Sequence, residues 1–261
     1  MVEDWNVIWS PASGEELRKW KSLLLDYPNP VLGESQPSLE QILCRAIMSK
    51  DYTLVRVCIS HGARLNDWVN AAVSQAMSLE LLQILVPAGL DVNHKEDRVG
   101  GYIAATASCN QMDLARYLLQ HGADPNRNPL ADLNPALNMA VKGNFMDMAE
   151  LLIKYGAKVN GLGALAMAAE YGRFEMMELL FRYGADVNDD ARDRAEECID
   201  YIEGVTALHQ AAKVGRMDTV VFLLDHGANP DLKDEDGRTP LMVAQANGHP
   251  EVIEFLDKLQ Q

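Results

Sequence analysis

The chain has 261 residues, of which 48% are apolar and 23% charged, a balance that suits a folded protein with a sizeable core and not a disordered tail. A formal net charge of −15 repels phosphate backbones, so no nucleic-acid partner is expected, and no apolar run approaches the roughly 18 residues that a membrane span needs. Four cysteines (Cys44, Cys58, Cys109, Cys198) form no CxxC pair and no zinc spacing, and the acidic start lacks a basic segment followed by an apolar one; both point to a reducing, cytoplasmic or nuclear setting.

From the N-terminus, Gly14 to Tyr27 reads as one amphipathic helix with Leu17, Trp20, Leu24 and Tyr27 along one side. A phrase then recurs: ISHGARLN to Asn66, VPAGLDVN to Asn93, LLQHGADPN to Asn126, IKYGAKVN to Asn160, FRYGADVN to Asn188 and LDHGANPD to Asp231. Its glycines are Gly62, Gly89, Gly122, Gly156, Gly184 and Gly227, spaced by 27, 33, 34, 28 and 43 residues. The residues seven, four and three places before each glycine are apolar, as in Val55, Cys58, Ile59 and Met177, Leu180, Phe181. That spacing marks one face of a helix, which the glycine stops by accepting a left-handed conformation.

A second helix lies upstream of each of these. In the sixth copy it is TALHQAAKVGR, Thr206 to Arg216; the last copy runs from Asp236 to Leu256, with Thr239 as N-cap and Pro240 at the first helical position. Gly237-Arg-Thr-Pro-Leu241, Thr206-Ala-Leu-His209-Gln-Ala-Ala212 and the repeated Gly-Ala-Asp-x-Asn resemble ankyrin repeats, six copies plus a C-terminal seventh over roughly Pro37 to Leu259.

The resemblance implies an all-α solenoid of helix-turn-helix units, with residues 1–36 as an N-terminal capping segment and 37–261 as one continuous repeat array. Solenoid ends need a cap, so Trp5, Trp9 and Trp20 are expected over the first repeat. It also implies that His209 hydrogen-bonds the hairpin finger between repeats. The other phrase-bearing copies replace that histidine by Cys44, Ala71, Ala104, Asn138 and Ala166, and the fourth has Asn144 where the loop glycine belongs.

The fingers are irregular. From the phrase's last residue to the next helix opening the count is two before the second copy (Asn66 to Trp68) and three before the fifth (Asn160 to Gly163), against eighteen before the sixth (Asn188 to Thr206). The long insertion, 189–204, is rich in acid: Asp189, Asp190, Asp193, Glu196, Glu197, Asp200 and Glu203. Insertions in repeat proteins often fall on the binding face. First-helix positions expected to line the concave side include Arg45, Met48, Gln75, Ala105, Ser108 and Asn247. Those expected to touch a partner are Met139, Lys142, Met167, Glu170, Tyr171, Gln210 and Lys213, with Asp193, Glu196, Glu197 and Tyr201 from the insertion. Met139, Met167 and Tyr171 form the apolar anchor of that expectation.

No P-loop or GxSxG stretch occurs, and His61, His121 and His226 stand one place before a phrase glycine, as repeat grammar and not as metal ligands; no cofactor and no metal are expected. Two functions stay open. One is a protein-interaction module whose groove and acidic loop, at repeats four to six, meet a protein with a basic segment. The other is a small-molecule binder or cofactor-free, cyclase- or isomerase-like enzyme, with 189–204 as lid and Glu170 and Tyr171 as its acid-base candidates. A neutral, solvated insertion is the bland alternative to both.

Overall fold

A computed structural model of the chain describes residues 11–26, 37–94, 101–127, 135–190 and 205–259. Trp5, Trp9, Tyr27, Cys198 and nearly all of the acidic insertion, including Asp193, Glu196, Glu197 and Tyr201, lie outside them. The described residues form helices and no strands. In chain order these are α1 (Gly14–Asp26), α2 (Leu39–Met48), α3 (Tyr52–Ser60), α4 (Asp67–Ala76), α5 (Leu79–Leu85), α6 (Gly101–Ser108), α7 (Met112–Gln120), α8 (Ala136–Gly143), α9 (Met146–Lys154), α10 (Ala164–Tyr171), α11 (Phe174–Arg182), α12 (Ala207–Val214), α13 (Met217–Asp225), α14 (Pro240–Asn247) and α15 (Pro250–Leu259). After α1 they pair as helix-turn-helix units.

The chain divides into two compact units, Met1–Tyr102 with Gln120–Gly122, and Ile103–Leu119 with Ala123–Gln261. In the first, α2 packs on α3 and α4, α3 on α5, and α1 on α3. Trp20 and Leu24 of α1 are buried, and the Arg45 guanidinium lies 4.9 Å from the centre of the Trp20 ring. Ion pairs of 3.0 Å join Lys21 to Asp51 and Arg45 to Glu16, so the capping helix is fastened to the first repeat by a packed ring and paired charges. Cys44 and Cys58 are buried free thiols, each pushed up to about 12 by burial. Cys109 is free and exposed.

In the second unit the first helices α8, α10, α12 and α14 pack side by side in that order, and α9, α11, α13 and α15 back them. Residues seven and four places before the phrase glycines have no exposure in any of the six copies: Val55, Cys58, Leu82, Leu85, Ala115, Leu118, Ala149, Leu152, Met177, Leu180, Val220 and Leu223 are all at 0%. The residue three places before is half-buried in five copies. The other enclosed row stands eight places before: Leu54, Leu81, Met148, Met176 and Thr219 have no exposure, and Leu114 has 7%. The inward stripe is therefore rotated by about one residue from the expected one.

The repeated phrase has a chemical reason at each position. The glycines hold φ from +83° to +99°. The following N–H closes the helix end, as Ala185 does on the Leu180 carbonyl at 3.0 Å. The aspartate oxygen accepts the N–H of the asparagine two places on, 2.9 Å for Asp186 and Asn188. The asparagine so aimed bridges to the next copy. Asn126 Nδ2 donates to the Gly156 carbonyl at 2.8 Å while its Oδ1 accepts from Lys158 N–H at 2.6 Å. Asn160 does the same to Gly184 and Asp186, and Asn188 to Gly227 and Asn229. Asn66 is diverted: its Oδ1 accepts from Val69 N–H and caps α4 directly. The second finger is thus shorter still than the two-residue count suggested.

The loop between paired helices uses a left-handed residue too: Gly172, Gly215, Gly248 and, in the expected substitution, Asn144 at φ +57°. Asn tolerates this region, but Lys50 occupies it at φ +55° with an exposed side chain. Replacing Lys50 by Gly relieves about 1–2 kcal/mol of strain and returns about 0.4–1 kcal/mol as unfolded-chain entropy. Lys50→Gly is expected to raise stability by about 0.5–1 kcal/mol in urea denaturation; a loss would mean that Lys50 does not hold this conformation.

Candidate functional site

The first helices of the second unit carry the expected contact residues, and their exposure sorts them. Lys142 and Lys213 are exposed; Met139, Glu170 and Tyr171 are half-buried. Met167 is 5% exposed, which corrects its place in the open apolar anchor. The reason is in its helix: Ala164, Leu165, Ala166, Met167, Ala168 and Ala169 are all buried, and a helix apolar on every side is enclosed. Its alanines let α8 and α12 approach from both flanks. Gln210, also expected outward, is 6% exposed.

Inter-repeat bonds fix how these helices end. The Arg216 Nε donates to the Glu170 carbonyl at 2.8 Å, placing a cation at the C-terminal end of α10. His249 Nε2 bonds the Lys213 carbonyl at 2.8 Å and its ring lies over Gly215. The phrase histidines serve locally: His61 and His226 each direct Nδ1 at the carbonyl four residues back, at 2.8 Å, and His226 stacks on Phe181 with ring centres 4.7 Å apart. Among the described residues no cluster of His, Cys, Asp and Glu fits a metal ion.

Beside α12 and α14 lies a cavity of about 330 Å³ lined by Val205, His209, Gln210, Lys213, Asp234, Arg238, Val243, Ala246 and Asn247. One wall is the finger that precedes α14. Asp234 Oδ1 accepts from Arg238 N–H at 2.8 Å and its Oδ2 from Arg238 Nε at 2.9 Å, and Asp234 N–H donates to the Arg238 carbonyl at 3.0 Å. Arg238 also reaches Asp236 at 2.8 Å.

The finger is held from below by His209. Thr206 N–H donates to His209 Nδ1 at 3.2 Å, so that nitrogen carries no proton; Nε2 carries it and donates to the Arg238 carbonyl at 3.0 Å. Burial lowers the His209 pKa, against the opposing pull of the Arg238 carbonyl and the Asp234 carboxylate. This is the role that the sequence resemblance implied for His209.

The sequence brought Gln210, Lys213 and Asn247 to this face but missed Asp234 and Arg238 as its wall. The signal was present: Asp234 stands four residues before Arg238, a span that one clasped turn closes. Glu170 and Tyr171 do not line this cavity, and Met139 and Lys142 stand on α8, two first helices away from α12.

Paired helices, left-handed glycine stops and the asparagine bridge define a repeat protein built by stacking. Residues 69–161, 102–191 and 190–259 match the family model described as Ankyrin repeats (3 copies), and the chain belongs to the ankyrin-repeat family. It is similar to Protein glp-1 of Caenorhabditis elegans, 29% identical over 205 residues, covering 74% of this chain and 16% of that protein. It is similar to Cyclin-dependent kinase 4 inhibitor B of Mus musculus, 29% identical over 154 residues, covering 59% and 88%. Rabankyrin-5 of Mus musculus matches at 46% over 54 residues, 21% of this chain and 5% of that protein. The chain thus spans a small part of glp-1 and Rabankyrin-5 and most of the kinase inhibitor. Ankyrin repeats are protein-interaction modules, and no described helix is long and apolar enough to cross a membrane.

Proposed function

We propose that this chain binds a protein partner along the face formed by the first helices of repeats four to seven. The observation that carries the reading is that α8, α10, α12 and α14 stand side by side on a closed core, while Met139, Lys142, Glu170, Tyr171, Lys213 and Asn247 remain half-buried or exposed on them. A rigid row of mixed apolar and charged side chains suits a folded partner or an extended segment. The acidic stretch 189–204 steers basic residues of the partner toward that row. The relative named as an inhibitor of cyclin-dependent kinase 4 supports a protein as the ligand class. The buried free thiols Cys44 and Cys58 agree with a reducing, cytoplasmic or nuclear setting.

The test begins with capture of proteins from native extract on the full chain and on Lys142→Glu/Tyr171→Ala, followed by titration of each captured protein after purification. A partner bound about tenfold or more tightly by the wild type supports this face. Equal affinities for both would sink it. Deleting 190–203 is expected to slow association at low salt and to flatten its salt dependence; an unchanged association rate removes the acidic stretch from the reading.

A further inference from the structure

Two equivalent rungs on the second helices differ by one donor. Glu150 and Glu178 each stand six places before a phrase glycine, and Tyr183 and His226 each stand one place before the next. At the first rung the Tyr183 hydroxyl donates to Glu150 Oε1 at 3.0 Å, and Lys154, four residues on, pairs with the same oxygen at 3.1 Å. At the second rung neither contact forms. The Phe222 carbonyl can only accept, so His226 Nδ1, 2.8 Å from it, carries the ring proton. The neutral ring then turns a bare Nε2 lone pair toward Glu178 Oε1 at 3.8 Å, acceptor against acceptor. Arg182 takes the place of Lys154, and no ion pair joins it to Glu178 among the described residues. Its charge acts on the first rung instead, where, after Lys154 and Tyr183, it helps to lower the Glu150 pKa.

The wall of this gap is aromatic. Phe181 stacks on His226 with ring centres 4.7 Å apart and planes 8° from parallel. Phe222 lies 4.3 Å from the same ring, and Phe174 meets Phe222 edge-on at 5.3 Å. All three phenylalanines are half-buried, and the side chains of Glu178 and His226 keep 56% and 33% exposure. Asp225, beside His226, is exposed and forms no ion pair among the described residues. The gap therefore joins two outward-facing acceptors, net negative charge and ring surface. A hydroxyl donor would leave the charge unmatched. An ammonium would supply charge and donors but no flat face. A guanidinium supplies a permanent charge, several N–H donors fanned in one plane and a flat face that stacks on aromatic rings.

We propose that this gap receives one arginine of a partner protein, its guanidinium donating to Glu178 Oε1 and His226 Nε2 and resting against the Phe181 and Phe222 rings. The arginine supplies the donor that Tyr183 supplies one repeat earlier. The inference rests on the protein-interaction reading above for the class of ligand. It adds a second contact face, on α11 and α13, to the row of first helices.

The experiment is selection of a phage-displayed random dodecapeptide library on the full chain at pH 7.5, with binders resynthesised and titrated against the wild type, Glu178→Gln and His226→Tyr. The expected result is a shared arginine and affinity lowered about tenfold or more by each substitution. Replacing the peptide's arginine by lysine is expected to cost about fivefold or more. His226→Tyr is expected to melt no lower than the wild type, because the new hydroxyl donates to Glu178 as Tyr183 does to Glu150; lost binding then cannot be lost folding. The nitrogen-15 resonance of His226 Nε2 is expected to move on binding as its lone pair accepts a hydrogen bond, and a fixed resonance would overturn the contact. Lysine accepted as well as arginine would overturn the guanidinium. Peptides without a shared arginine, or bound by His226→Tyr as tightly as by the wild type, overturn the site. If those peptides are lost with Lys142→Glu/Tyr171→Ala, the first-helix face stands without this one; if every variant holds them equally, they mark general attraction to an acidic chain. Recovery of no peptide overturns the site, and together with capture of no protein it overturns both readings.

Discussion

His209→Ala is expected to lower unfolding free energy by about 3–5 kcal/mol, a large part of the roughly 5–15 kcal/mol that holds a domain folded. His209 is 1% exposed and satisfies groups on both sides: the Thr206 N–H through Nδ1 and the Arg238 carbonyl through Nε2. Alanine leaves the Thr206 N–H orphaned where Thr206 is 2% exposed, at about 1–3 kcal/mol, and opens a void that adds about 1–2 kcal/mol more. The finger loses its support as well. The folded protein keeps His209 neutral below its ordinary value of 6.5, because burial disfavours the charged form. On acidification the unfolded chain takes up this proton first, so stability is fully present above about pH 6.5 and falls as pH drops from there toward the lower folded value. Denaturant titrations from pH 7.5 to 5.5 are expected to show that slope in the wild type and a weaker one in His209→Ala. An equal slope in both would place the pH sensitivity on another group.

The second large effect separates two glycines with similar backbone angles. Gly184 has φ +85° and open space around an added side chain; Gly215 has φ +70°, and a Cβ there runs into the His249 ring. Gly184→Val is expected to cost about 1–3 kcal/mol, all of it backbone strain. Gly215→Val adds displacement of the ring and loss of its bond to the Lys213 carbonyl, about 1–2 kcal/mol more. The checking measurement is a double-mutant cycle with His249→Ala. In that background the two valine substitutions are expected to cost nearly the same, and a persisting gap would mean that the ring is not the obstacle.

The helix pairs were readable because two signals agreed: an apolar stripe at helical spacing and a glycine that stops it. Met167 was misjudged for the converse reason. Spacing places a residue on a face, but whether a face is open depends on how closely its neighbours approach, and the alanines of α10 settle that only in three dimensions. The row eight places before each glycine was missed because position Thr219 is polar and broke the pattern in the sixth copy. Arg238 was named only within the Gly237-Arg-Thr-Pro-Leu241 motif, and Asp234 was not singled out. Their part in the cavity follows from the fold of a finger back over His209, a contact between residues 29 apart in sequence.

The asparagine bridges have a mechanical consequence. Asn188 reaches Gly227 and Asn229, 39 and 41 residues further on, so the grip of the fifth phrase on the sixth bypasses the whole acidic insertion. Tension carried through the second unit passes from Asn126 to Asn160 to Asn188 along a seam of side-chain amides, whatever the length of the finger between two rungs. A finger can lengthen without slackening the spring: the rungs at Asn160 and Asn188 hold alike, although the first precedes a finger of three residues and the second one of eighteen.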